Sequence, residues 1–200
     1  MSEAILRAAT EEDAPAMLAL YAPYVRDTTV SSEYDPPSLT EFTDRIRTFG
    51  KTLPWLVCLI GGEVVGYGYA SPHRSRAAYQ WSVETSIYVA ADWHRHGIAG
   101  AIYDALFEVL AMQGYYTIFV GITSPNERSM KFHKAMGFVI SGAYQDSMYK
   151  FGKWRDVLWM AKSLRPHGGE PVPTVPFPEI RDNPVVERAL RQAAQRIHAE

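Results

Sequence analysis

A single cysteine, Cys58, stands among 200 residues, so no disulfide can close within the chain. It lies in the apolar run Trp55–Ile60 and reads as a core thiol, not a nucleophile. An excess of either charge is missing too. Lys and Arg number 20 against 22 Asp and Glu, which leaves no overall field toward nucleic acid or anionic lipid. No apolar stretch is long enough to cross a bilayer. The first residues lack the basic and apolar regions of a secretory leader, and no repeat has solenoid spacing. His73, His94, His96, His167 and His198 have no metal-ligand spacing with acidic partners, so no metal is expected. Together these absences suit a protein of the reducing cytoplasm with neither nucleic acid nor membrane as partner. What is present is ordinary: 47% hydrophobic and 21% charged residues, enough for one domain with a real core.

The chain reads in the order β-α-α-β-β-β-α-β-α-β-β, a mixed α/β sheet with helices on its faces. Ile5–Ala8 is a short strand, and Thr10–Asp13 signals a helix start. Ser38–Glu41 matches a capping box opening a second helix to about Phe49. Trp55–Ile60 and Glu63–Ala70, joined by Gly61-Gly62, read as a hairpin, and Trp81–Val89 as the next strand. Ile98, Ile102, Ala105, Leu106, Val109 and Leu110 share one face of a helix running from Gly97 to Gly114. A strand over Thr117–Ile122, a helix over Asn126–Met136, and strands over Phe138–Tyr149 and Asp156–Lys162 complete a domain at 1–164. Six prolines between Pro166 and Pro184 predict an extended tail over 165–184 outside the core. Val186, Leu190, Ala193 and Ile197 then form an apolar stripe on a candidate helix over 185–200.

The segment richest in chemistry runs from Ser86–Val89 into Trp93–Gly100. A strand feeds a donor-rich turn and then a long helix. Free backbone N–H groups and the helix dipole make such a start an anion site, and Gly97 and Gly100 let a pyrophosphate approach. An ordinary strand-to-helix connection would carry the same glycines. The segment lacks the ending of a P-loop and the three-glycine spacing of a dinucleotide site.

His94-Arg95-His96-Gly97-Ile98-Ala99 resembles the Gln/Arg-x-x-Gly-x-Gly/Ala signature of the GCN5-related N-acetyltransferase (GNAT) superfamily, with histidine at the first position. Ser124–Phe138 is similar to its next motif, where Asn and Ser open a helix ending in Gly-Phe. Arg74–Val89 and Lys150–Val157, with its Gly-x-Trp-x-Asp, resemble the phosphinothricin and methionine-sulfoximine acetyltransferases. The likeness spans about residues 3–164 and departs at Val30–Tyr34, where relatives carry a phenylalanine near Ser32 in the loop lining the acceptor pocket.

The resemblance implies a GNAT fold with splayed strands, acetyl-coenzyme A as co-substrate, a small amino-acid-like amine as acceptor, and a homodimer. It implies coenzyme contacts at Ile87, Tyr88, Val89, Arg95, His96, Gly97, Ile98, Ala99, Gly100, Asn126 and Ser129; the last two also suit plain helix-start residues. An ammonium must lose a proton before it attacks a thioester. Glu84, in an apolar and aromatic strand, is the expected base, with burial raising its pKa; a solvated strand charge is the other reading. His133 stands where the superfamily places the acid for the leaving thiolate, though an isolated histidine there would sit on a helix surface. Arg74 and Arg76 suit a carboxylate or phosphinate, and Tyr79 and Tyr88 would close the pocket. Solvated loop arginines are the alternative. Acetylation of a protein N-terminus or lysine, or coenzyme binding without turnover, are the competing functions.

Overall fold

The computed structural model describes residues 3–198. Seven strands, β1 (Ala4–Ala8), β2 (Trp55–Ile60), β3 (Glu63–Pro72), β4 (Ser82–Val89), β5 (Thr117–Thr123), β6 (Val139–Lys150) and β7 (Lys153–Ser163), form one sheet in the order β1-β2-β3-β4-β5-β7-β6. The helices are α1 (Ala14–Asp27), α2 (Leu39–Gly50), α3 (Ile98–Gln113), α4 (Glu127–Ala135), α5 (Phe177–Ile180) and α6 (Pro184–Ala194). Only β4 and β5 run parallel; every other neighbouring pair is antiparallel. Helix α1 starts one turn later than Thr10–Asp13 suggests. The Asp13 carboxylate accepts from the Thr10 backbone N–H and from Arg7, which holds Glu11–Asp13 in a tight turn first. The Ser38–Glu41 capping box forms.

Alternation along β2 divides the core. Leu56 and Cys58 face one cluster, Trp55 and Val57 another, so the run is apolar throughout because both faces are covered. Helices α1 and α2 cover the aromatic side with Met17, Tyr21, Val25, Phe42 and Ile46. Helix α3 covers the other with Ile98, Ile102, Leu106 and Leu110. It rides close: a Cβ on Gly68 would stand 2.7 Å from Ile102 Cγ2. Burial lifts the Cys58 thiol pKa to about 12, as befits a core thiol.

One irregularity of the sheet matters most. β4 pairs with β5 only from Ser82 to Glu84, against Thr117 to Phe119. Beyond that point β4 follows β3 to Val89 while β5 follows β7 to Thr123. The two strands part, and a cleft opens.

The arm expected as an extended tail outside the core is extended, but it is tied to the domain. Backbone N–H groups of Val175 and Phe177 donate to the carbonyls of Gln113 and Thr52, and the Gln113 amide donates to Thr52 and Val175. Trp81 Nε1 donates to the Val172 carbonyl. The prolines remove donors, but the residues between them supply enough to strap the arm down. Phe177 is buried in the core, and α6 packs on α3 and β1. Burying Val186 and Ile197 is worth about 1.5–3 kcal/mol each, which a short helix marginal in water requires. The last two residues of the candidate helix over 185–200 lie outside the described residues. Among those described, no helix is long and apolar enough to cross a membrane.

Candidate active site

The cleft between β4 and β5 has a volume of about 480 Å³. Its wall on one side is Thr85–Val89, and its floor includes Tyr103, Phe132 and His133. The backbone edge that β4 turns to it follows from the hydrogen-bond pattern. Ala90 N–H donates to Val65 on β3, so by alternation the N–H and C=O groups of Thr85, Ile87 and Val89 point the other way, into the cleft. The Val89 carbonyl is already taken: Tyr24 Oη donates to it at 2.5 Å, and His94 Nε2 lies 3.1 Å from it. Its N–H and the Ile87 groups remain for a ligand.

At the open end stands the start of α3. Arg95 and Gly97 both adopt left-handed backbone, with φ of 72° and 83°. For arginine that conformation is strained, and strain of this kind gathers at binding sites. Gly97 carries no side chain to cap the helix, and the first helical bond runs from Ala101 to the Gly97 carbonyl. The N–H groups of Ile98, Ala99 and Gly100 therefore face outward as orphan donors on a positive dipole end. A Cβ at Gly100 would meet nothing within 4 Å, so the approach is open. This donor set fits a pyrophosphate. His94 and His96 turn inward: His94 packs against Val89 and Tyr24, and His96 Nδ1 lies 3.0 Å from the His94 carbonyl. His94 has its pKa lowered, first by burial and then by Arg128.

Across the cleft, Asn126 caps α4 by accepting from the Ser129 N–H at 3.1 Å. His133 is buried, and its Nδ1 lies 2.8 Å from the Ser129 carbonyl and 3.2 Å from Ser129 Oγ. A carbonyl only accepts, so Nδ1 carries the proton and Nε2 accepts from Tyr103 Oη at 3.0 Å. Thr85 Oγ1 in turn points at Tyr103 Oη at 3.5 Å. Burial lowers the His133 pKa against the opposing pull of the Ser129 carbonyl, which keeps the imidazole neutral. It is no surface histidine.

Glu84 sits at the closed end, on the last residue pair before the strands separate. It is half-buried, with its side chain 30% exposed. Oε1 lies 2.9 Å from His73 Nδ1 and 3.6 Å from Arg74 Nη1. Arg74 also donates to Tyr144 Oη and stacks over Trp159. Arg76 is exposed and, with Arg74 and Tyr79, lines a second hollow beside the tail arm. The Tyr79 ring stands edge-on to His73 at 5.9 Å. Tyr88 is no lid: its ring is buried against Tyr21 and Tyr24, which raises its pKa well above the usual tyrosine value.

The loop after α1 is pinned from beneath. Lys150, 2% exposed, donates to the carbonyls of Val25 and Ser31 at 2.7 and 2.8 Å. Tyr21 bonds Ser31 Oγ at 2.6 Å, and Arg45 pairs with Glu33. Val30 of this loop reaches the cleft wall.

Sequence reasoning missed Tyr24, Tyr103 and Arg128, which all line the cleft, and the pairing of His73 with Glu84. Arg128 had a signal: a cation in the first turn of a helix opposes the dipole. The others had none, because their partners are distant in the chain.

Residues 6–159 match the Acetyltransferase (GNAT) domain family. The phosphinothricin N-acetyltransferase of Streptomyces viridochromogenes is 32% identical over 168 residues, covering 84% of this chain and 92% of that one. The L-methionine sulfoximine/L-methionine sulfone acetyltransferase of Pseudomonas aeruginosa PAO1 is 32% identical, covering 84% and 99%. A GNAT phosphinothricin acetyltransferase from Sinorhizobium meliloti, solved in complex with AcCoA, superposes with a TM-score of 0.78 at 32% identity, covering 87% and 93%. With the split sheet, the uncapped helix start and these matches, the chain belongs to the GNAT acetyltransferase family.

Proposed function

We propose that this chain transfers the acetyl group of acetyl-coenzyme A to the amine of a small amino-acid-like acceptor of the phosphinothricin or methionine sulfoximine and sulfone type. One observation carries the reading: the cleft begins at an anion-binding helix start and ends beside a carboxylate. From Val89 to Glu84 is five residues of strand, about 17 Å, which suits an extended arm tethered by its pyrophosphate. The thioester supplies the activated acyl group.

The chain's own residues divide the work. Ile98, Ala99 and Gly100 N–H groups hold the pyrophosphate, with Arg95, His96 and Gly97 shaping the turn. Asn126 and Ser129 face the arm from α4. The free backbone edge at Ile87 and Val89, beside Tyr88, aligns it and offers a donor to the tetrahedral oxyanion. Glu84 removes the proton from the ammonium, directly or through water. Nitrogen then bonds to the acyl carbon, the C–S bond breaks, and the nitrogen sheds its second proton to solvent while the thiolate takes one up. The proton for the leaving thiolate is assigned to the hydrogen-bonded pair Tyr103–His133, since both nitrogens of His133 are engaged. Arg74 pairs with the acidic group of the acceptor, and Arg76 and Tyr79 share with Arg74 the hollow beside the tail arm. A homodimer belongs to the same proposal, supported by exposed Val139, Ile140 and Tyr144 along the edge strand β6. Sedimentation at micromolar concentration tests it: a monomer removes it.

The activity test is a screen of amino acids with their sulfone, sulfoximine and phosphinate analogues for release of free thiol from acetyl-coenzyme A. N-terminal and lysine peptides form a second arm. Thiol release with the small analogues is expected. Release with peptides alone would replace the acceptor class, and binding of acetyl-coenzyme A without release in either arm would leave a binding module.

A further inference from the structure

His73 lies outside every motif described above, yet it makes the shortest contact to Glu84. It follows β3, where Ser71 pairs with Glu84 and Pro72 with Val83, and its N–H reaches the Ser82 carbonyl, so its backbone lies across from the base strand two residues short of Glu84. Its side chain is 10% exposed. The ring stacks on Phe119 at 4.2 Å and 17°, with Trp159 and Tyr79 edge-on at 5.8 and 5.9 Å. Phe119 is itself the β5 residue paired with Glu84 at the point where the strands part. The imidazole is therefore fixed by aromatic contacts on several sides, with Nδ1 at 2.9 Å from Glu84 Oε1. The titratable and charged groups around it are Glu84, Arg74, Tyr79 and, through Arg74, Tyr144.

We propose that His73 is the positioning residue of Glu84, holding the carboxylate by one oxygen at the closed end of the cleft so that the other takes the acceptor's proton. This rests on the reading of Glu84 as base. An ionised carboxylate only accepts, so Nδ1–H is the donor. Both the His73 and the Arg74 contacts fall on Oε1, which leaves Oε2 for the ammonium proton. A glutamate that is partly exposed and free to rotate would spend much of its time in other rotamers; a fixed donor removes that freedom before the amine arrives. Arg74 alone does this poorly. At 3.6 Å it makes no hydrogen bond, and its side chain is 42% exposed.

The substitutions His73→Phe and His73→Asn separate positioning from packing. Phenylalanine keeps a flat ring for Phe119 and removes the donor. Asparagine loses the stacking area but returns an N–H near the place of Nδ1. With methionine sulfone as acceptor, His73→Phe is expected to lower kcat about 10- to 100-fold, with the KM for acetyl-coenzyme A unchanged. His73→Asn is expected to recover most of that loss. Combined with Glu84→Gln, His73→Phe should add nothing, because there is no base left to position. Phenylalanine as active as wild type, asparagine no better than phenylalanine, or losses that multiply in the double variant would overturn the proposal. An active Glu84→Gln would instead remove the base itself. The pairing is also read without turnover. In protein carrying ¹⁵N-histidine, the His73 Nδ1 proton should give a slowly exchanging resonance that moves in Glu84→Gln; its absence, or its indifference to that substitution, overturns the pairing.

Discussion

The two ends of the cleft are built from different materials. The end proposed to hold the coenzyme is backbone: three orphan N–H groups at the start of α3, the unpaired edge of β4, and left-handed residues that shape the turn between them. The end proposed for the acceptor is side chains from the β3–β4 connection, the loop after α1 and the β6–β7 pair, held by Glu84, His73, Arg74, Lys150 and Trp159. Backbone donors are fixed once the fold forms and tolerate changes of side chain, as His94 does at the first position of the turn. An end made of side chains can be respecified one residue at a time. A common coenzyme with varied acceptors calls for that division.

The sharpest way to break the comparison is Glu84→Gln. The amide keeps the shape and cannot accept a proton. The turnover number should fall about 10²- to 10⁴-fold, while acetyl-coenzyme A affinity by calorimetry stays as in wild type. Loss of coenzyme affinity would mean that the two ends are not separable.

Next in size is Lys150→Met. It removes two charge-assisted bonds and leaves the carbonyls of Val25 and Ser31 unsatisfied, at a cost of about 2–4 kcal/mol in denaturant unfolding. The folded variant should show a raised acceptor KM and an unaltered coenzyme KM if the loop it releases serves the acceptor, as proposed. Equal changes in both would count against that assignment.

Gly97→Ala probes the other end. The left-handed φ of 83° costs a residue with a Cβ about 1–2 kcal/mol, and that Cβ would stand 3.0 Å from the Arg196 carbonyl. Coenzyme affinity should fall severalfold while acceptor KM holds. The close approach has a cause beyond the turn itself: the His198 N–H donates to the His96 carbonyl, so the end of the chain supports the coenzyme turn from behind. Unchanged coenzyme affinity would show that the turn tolerates a right-handed alternative.

The coenzyme end was the legible one. Apolar spacing along α3, the glycine before it and the strand feeding it are local patterns, and local patterns survive in a sequence. The acceptor end was only half legible. Glu84 stood out as a charge in an apolar strand, but Lys150 bonds a carbonyl 125 residues away. No periodicity announces such a pair. The apolar neighbours of Glu84 point to burial, while its side chain is 30% exposed at the last residue pair before the strands part. The tail was misjudged for a similar reason. Proline content predicts an extended path, and it says nothing of the Gln113 and Thr52 groups that receive it.

The smallest expected effect concerns pH and lies on the cleft floor, where the two ends meet. Burial holds the His133 pKa below the ordinary value of 6.5, while in the unfolded chain the imidazole is free to titrate normally. The unfolded state therefore binds more protons as pH drops through 6.5, and stability rises with pH wherever that is so. Relative to neutral pH, stability should fall below about pH 6.5 and continue to fall until the folded protein takes up its own proton. The slope per histidine is at most about 1.4 kcal/mol per pH unit. His94, lowered by burial and Arg128, adds in the same direction, though its greater exposure weakens its share. His133→Gln keeps a partner for Tyr103 and removes the proton-binding site, so its stability should depend less steeply on pH between 5 and 7. Urea unfolding of both proteins across that range reads the difference directly. Parallel pH curves would mean that His133 takes up its proton equally in the folded and unfolded protein, and the lowering of its pKa by burial would then be withdrawn.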